Sequence, residues 1–148
     1  MSRKNEMETT FLSVAENESF ARVVIAAFAV QLSPTVSEIA DIKTAVSEAV
    51  TNAIVHGYRG QGGTVRVRAS LSGEGELTVE VIDNGCGIED VEQARKPFFT
   101  TDEGDERSGM GFTVMESFMD RVEVISQPGR GTTVRMTKQI EQVKAAVG

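Results

Sequence analysis

The chain has 148 residues, 40% of them hydrophobic and 25% charged, with a formal net charge of −7 at pH 7. That length suits one globular domain over 1–148, able to bury roughly 68–70% of its unfolded surface with neither disulfide nor metal. The acidic balance argues against non-specific nucleic-acid binding, which needs lysine and arginine against phosphates, and the single cysteine, Cys86, excludes a disulfide framework or a cysteine metal cluster.

The first residues, Met1 to Glu6, are polar and lead into no apolar secretion segment. The longest apolar run, Val23 to Val30, is far short of the ~20 residues that span a bilayer. A cytosolic protein without a membrane segment is expected. Glu6 to Val14 reads as a first strand. Asn17 then stands where a cap would open a helix running to about Gln31. Leu32-Ser33-Pro34-Thr35 breaks that helix and starts another, because proline disfavours helical geometry in the residue before it.

From Val36 to about Tyr58, Ile39, Ile42, Val46, Ala49 and Ala53 recur at spacings of three and four, which predicts a long amphipathic helix. Gly57 and the glycines of 59–63 end it. Thr64 to Leu71 and Leu77 to Asp83 alternate in period two around Gly73-Glu74-Gly75, a hairpin. A polar stretch from Ile88 to Ser108 follows, interrupted by a short helix near Asp90 to Lys96. A segment that long inside a compact domain reads as a functional lid or a disordered stretch. Met110 to Asp120 predicts another helix, with Met110, Met115 and Met119 as core filler. Arg121 to Ser126 and Thr132 to Thr137 form a second hairpin across Pro128-Gly129-Arg130-Gly131, and a short charged helix closes the chain. Helices first and hairpins after predict an α/β (α+β) two-layer sandwich, with helices on one face of a mostly antiparallel sheet.

Three constellations carry chemistry. On the long helix, Glu48 and Asn52 lie four residues apart, so they stack about 6 Å from each other along the axis. That face is expected opposite the stripe of Val46, Ala49 and Ala53. It offers a carboxylate that can accept a proton and an amide oxygen that can ligate a hard cation. The second is Asp83-Asn84-Gly85-Cys86-Gly87, where a strand ends. There an ionised carboxylate, held near the sheet's edge, can receive an exocyclic amine, and the glycines permit close approach. The third is Ser108-Gly109-Met110-Gly111-Phe112 before a helix, where exposed N–H groups favour an anion. Each alone is equally a solvated helix face or a plain turn. Their order along the chain is far more specific.

In that order they resemble the N-box and the two glycine boxes of the GHKL (Bergerat-type) ATPases, which include gyrase, heat-shock chaperones, histidine kinases and mismatch-repair ATPases. Gly131-Thr132-Thr133 resembles that superfamily's closing strand motif. The resemblance implies ATP/ADP and Mg2+ as cofactors, with Asn52 on the metal and Asp83 on adenine. It makes Gly85, Gly87, Thr100, Thr101, Gly109, Met110, Gly111 and one of Thr132 or Thr133 further nucleotide contacts. Residues 16–22, 47–58 and 108–120 are similar to the anti-sigma F kinases of sporulating bacteria. That family implies a serine kinase that binds a sigma factor as a homodimer and phosphorylates an anti-anti-sigma factor. Where it implies a lysine after Thr100-Thr101, this chain carries Asp102-Glu103, which leaves Arg107 as the lid cation nearest the nucleotide. Arg22, on the first helix, falls in the region that contacts partners in that family.

Glu48 is the expected base for a serine hydroxyl, Arg107 the expected charge neutraliser, and His56 a polar neighbour of the metal. Only a few residues precede the first strand, which disfavours a histidine kinase carrying its own phosphoacceptor. No transducer segment is expected, which disfavours gyrase- and chaperone-like machines. A stress-response anti-sigma kinase and a nucleotide-switched binding module without transfer remain as alternatives. Neither direct nucleic-acid contact nor a membrane is expected.

Overall fold

The computed structural model describes residues 3–59, 62–88, 90–96 and 111–141. Strand β1 (Arg3–Leu12) leads into helix α1 (Glu16–Ala29), a 3-10 turn (Val30–Leu32) and helix α2 (Val36–Thr51), which continues as a π-helical turn (Asn52–Gly57). Strands β2 (Thr64–Ser72) and β3 (Glu76–Asp83), a short helix α3 (Val91–Ala94), helix α4 (Gly111–Phe118) and strands β4 (Arg121–Gln127) and β5 (Gly131–Gln139) follow. The five strands form one antiparallel sheet in the order β1-β2-β3-β5-β4. The expected two-layer α/β architecture is the observed one. Among the described residues no helix is long and apolar enough to cross a membrane.

Period-two alternation decides which face is covered. Val65, Val67, Ala69 and Leu71 of β2, Leu77, Val79 and Val81 of β3, and Val134 and Met136 of β5 are buried on one face. Against them pack Ala21 and Ile25 of α1, Ile42, Val46 and Val50 of α2, and Met115 of α4. Met119 is buried there too, as the reading of methionines as core filler required, while Met110 lies outside the described residues. The outer face carries charge instead. Register aligns Glu8, Arg68, Glu80, Arg135 and Glu123 into one row of alternating sign across all five strands. Glu80 is its pivot, accepting two hydrogen bonds from Arg135 at 2.8 and 2.9 Å and lying 3.8 Å from Arg68. Glu80→Gln is expected to cost about 1 kcal/mol of stability, the scale of a partly screened ion pair. The loss should shrink between low and high salt in denaturant titrations.

Several boundaries differ from expectation. The first strand starts and ends earlier than Glu6 to Val14, because Met7, Thr9 and Phe11 register with Ala69, Val67 and Val65. Asn17 is no cap. The helix has already begun at Glu16, and the Asn17 amide donates back to the Leu12 carbonyl at 2.9 Å, tying strand end to helix start. The signal at the next start was stronger than the proline alone. Thr35 and Glu38 form a reciprocal capping box, at 3.0 and 2.8 Å, that fixes the first turn of α2. The closing helix expected after β5 lies outside the described residues.

Candidate functional site

A cavity of about 540 Å3 opens between α2, the π-helical turn, the loop after β3 and the start of α4. Val81, Val134 and Ala53 supply apolar lining, and Asn52, His56, Asp83 and Thr132 supply polar lining. Ala49 and Ala53 line this cavity beside Asn52. The expectation that the polar pair faces away from the alanines is therefore corrected. Successive residues on a helix are only about 100° apart, so Ala49 and Ala53 belong to the core and still form part of the cavity wall beside Asn52.

Asp83 ends β3, as expected of a residue that closes an apolar strand, and β3 is the central strand of the sheet. Its inward alternation leaves the residue only 6% exposed. Burial pushes its carboxyl above the ordinary carboxylate value, opposed by hydrogen bonds from the backbone N–H groups of Gly85 and Thr132. The Gly85 bond measures 2.9 Å. A buried carboxylate with this much desolvation is costly unless something pairs with it. The register also separates the two threonines. Thr132 pairs with Asp83 on the inner face, whereas Thr133 pairs with Ile82 and alternates to the outer face, away from the cavity. Of the two threonines Thr132 alone lines the cavity, and its hydroxyl is 2.8 Å from the Ser126 hydroxyl.

The loop after β3 is clamped on two sides. Cys86 donates its N–H to the Gly57 carbonyl at 2.8 Å, and Gly129 donates to the Cys86 carbonyl at 2.7 Å. Gly85 is required by packing, since a Cβ there would strike the Gly57 carbonyl, and it does not itself line the cavity. Gly87 does line it, with φ +76, a left-handed conformation that a side chain would strain.

On the opposite wall Gly111 opens α4 against the N-box pair. A Cβ at Gly111 would lie 3.2 Å from Asn52 Nδ2 and 3.4 Å from Glu48 Oε1. Glu48, Asn52 and the start of α4 are therefore brought together, although Glu48 is not among the residues lining the cavity. The π-helical turn begins at Asn52, and such turns recur at functional sites because they re-aim side chains. Among the described residues no group of three or more His, Cys, Asp or Glu side chains could hold a metal.

Arg22 lies apart from this cavity, on α1. It donates to the Ser19 hydroxyl at 2.9 Å and lies 3.7 Å from Glu18, whose carboxylate accepts the Ser47 hydroxyl at 2.5 Å. Thr100, Thr101, Arg107, Gly109 and Met110 lie outside the described residues. Tyr58, which the sequence reading passed over, joins the π-helical turn to the loop after β3.

The family of histidine kinase-like ATPase domains matches residues 12–138. The chain is 61% identical over 140 residues to the anti-sigma F factor of Thermoanaerobacter sp. (strain X514), across 95% of this chain and 97% of that one. It is 54% identical over 141 residues to the anti-sigma F factor of Clostridium acetobutylicum, across 95% and 98%. With that of Halalkalibacterium halodurans it shares 55% over 143 residues, across 96% and 97%. Among solved structures, the RsbU and RsbW domains of a Mycobacterium tuberculosis protein superpose with a TM-score of 0.68 at 23% identity, over 93% of this chain and 33% of that one. The mycobacterial sensor histidine kinase MprB gives 0.57 at 17% identity, over 93% and 100%. At such identities the structural likeness speaks for the fold alone.

Proposed function

The chain belongs to the family of histidine kinase-like ATPase domains and, more narrowly, to the anti-sigma F factors, and from that membership we propose that it is an ATP-dependent protein serine kinase that also holds a sporulation sigma factor of the sigma F type. The observation that carries the reading is the convergence of a buried carboxylate, Asp83, with Asn52, Gly111 and Glu48 around one cavity. Asp83 accepts the adenine amine there, as an ionised carboxylate can. Asn52 offers one amide oxygen, which suits Mg2+, an ion that keeps its waters and shares phosphate oxygens instead of demanding a full protein cage. When bound, Mg2+ offsets negative charge on the phosphates. Gly111, with no Cβ, lets the start of α4 come close to Asn52, so that the helix's first N–H groups face the phosphates.

Glu48 takes the proton from the hydroxyl of a partner serine as its oxygen bonds to the γ-phosphorus. The bond from that phosphorus to the bridging oxygen breaks, and ADP leaves with the electron pair. Arg107 neutralises charge on the transferred group, as the nearest lid cation where the family pattern's lysine is replaced by Asp102-Glu103. The partner serine belongs to an anti-anti-sigma factor, and the kinase acts as a homodimer. The identity of 50% and above to proteins named anti-sigma F factor favours the sporulation reading over a stress-response one.

Two expected results arise here. Asp83 has a raised carboxyl pKa, so between the ordinary value and the raised one the folded chain holds its proton more tightly than the unfolded chain. Stability from this group is full below that window and is lost as pH rises through the raised value. ATP affinity runs the other way, rising through the same window as the carboxylate ionises. Calorimetric titrations at stepped pH should show both trends, and Asp83→Asn should flatten both.

Arg22 must leave Glu18 and Ser19 to engage a partner. Arg22→Ala is expected to weaken sigma-factor or anti-anti-sigma binding by more than about 1 kcal/mol, as interface arginines often do, with ATP affinity unchanged. Pull-downs with both partners check this, and undiminished binding of both would leave Arg22 an ordinary surface charge.

A further inference from the structure

Tyr58 follows the π-helical turn, and its side chain bridges three elements. Its hydroxyl accepts the Asn84 N–H at 2.7 Å and donates to the Thr64 carbonyl at the start of β2, at 2.6 Å. Its own N–H donates to the Ala53 carbonyl at 3.1 Å, closing the π turn. The ring is half-buried against the core and lies over Gly63, where a Cβ would stand 2.7 Å from Tyr58 Cζ. Asn84 is the residue immediately after Asp83. The residue before Tyr58, Gly57, fits against the Asp83 carboxylate so closely that a Cβ would stand 2.9 Å from Cγ, and its carbonyl accepts the Cys86 N–H. The segment carrying Asp83 is thus gripped at 84 and at 86 by two adjacent residues of one turn.

We infer that Tyr58 is a positioning residue whose hydroxyl fixes the Asp83 carboxylate and thereby sets the selectivity of the site for a 6-amino over a 6-oxo purine. The inference rests on the adenine reading above. A carboxylate is acceptor-only, so it rewards an exocyclic amine and repels a carbonyl oxygen only if it is held in place. A carboxylate free to swing aside would penalise the wrong base less and reward the right one less. The strand ladder holds Asp83 from the β3 side, with Val65 and Thr132 as its neighbours. Beyond it, the Tyr58 hydroxyl satisfies the first N–H outside the ladder.

The test compares dissociation constants for ATP and inosine triphosphate, which differ at the 6-position, in the unaltered protein, Tyr58→Phe and Asp83→Asn. Tyr58→Phe keeps the ring and removes the hydroxyl. ATP binding is expected to weaken about tenfold, the scale of one lost hydrogen bond, with inosine triphosphate changed by at most about twofold. The ATP preference should therefore narrow about fivefold or more. A purely structural role would weaken both nucleotides equally and leave the preference unchanged. Tyr58 is the only tyrosine of the chain, so growth on 3-fluorotyrosine alters this hydroxyl alone, making it a poorer acceptor for the Asn84 N–H. That protein keeps the fold if Tyr58→Phe does not, and its preference should narrow about twofold. If Asp83→Asn narrows the preference while both tyrosine changes leave it intact, the inference is overturned and the adenine reading stands. If Asp83→Asn has no effect, the adenine reading itself fails.

Discussion

Glu48→Gln is expected to bind ATP within a few-fold of the unaltered protein and to transfer the γ-phosphoryl group about 10²–10⁴-fold more slowly, the usual cost of removing a general base. The geometry separates the two effects. Asn52 lines the cavity, whereas Glu48 does not, its Oε1 lying close to Gly111 at the start of α4. The amide keeps the shape and loses the proton acceptor. Sigma-factor binding should survive, so the variant would hold its target while failing to inactivate its antagonist. Single-turnover assays with the partner serine measure the loss, and transfer at the native rate would place the base elsewhere. Asn52→Ala forms the contrast, because it should lose Mg2+-dependent nucleotide affinity together with transfer.

Asp83→Asn is expected to weaken ATP binding by about 1.5–3 kcal/mol, the scale of a hydrogen bond to a charged group. Without nucleotide, stability near neutral pH should hold or rise slightly. The buried carboxylate pays for its charge through a raised pKa, and the amide removes that penalty while its oxygen can still accept the Gly85 N–H. The two outcomes in one variant distinguish a binding group from a structural one. Isothermal calorimetry and thermal melts of the same samples measure both. Unchanged ATP affinity would remove the adenine assignment.

Much of this was legible in the residues. Strict alternation in 64–71 and 77–83 gave the central hairpin to within a residue, since a strand with one covered face cannot slip without turning its apolar set outward. Asp-x-Gly-x-Gly at the end of an apolar strand located the carboxylate. Its depth was not legible. Burial of Asp83 follows from β5 pairing with β3 and not with β4 alone, a strand order that no local pattern encodes. Which of Thr132 and Thr133 lines the cavity was likewise a question of register, visible only when β5 is set against β3. The π-helical turn had no signature, because Asn52-Ala53-Ile54-Val55-His56-Gly57 would continue an α-helix as readily. What favours the turn is tertiary: Gly57 must fit against Asp83, and Tyr58 must reach Asn84. Asn17 misled because a good capping residue inside the first turn looks the same in sequence as one before it.

The most direct test incubates the chain with Mg2+, γ-labelled ATP and a candidate anti-anti-sigma factor, and follows the label through acid treatment. The account predicts acid-stable label on a serine of the partner, reduced at sub-saturating ATP by Asp83→Asn and slowed by Glu48→Gln, with none retained on this chain. Release of inorganic phosphate alone, or acid-labile label on His56 of this chain, would contradict it.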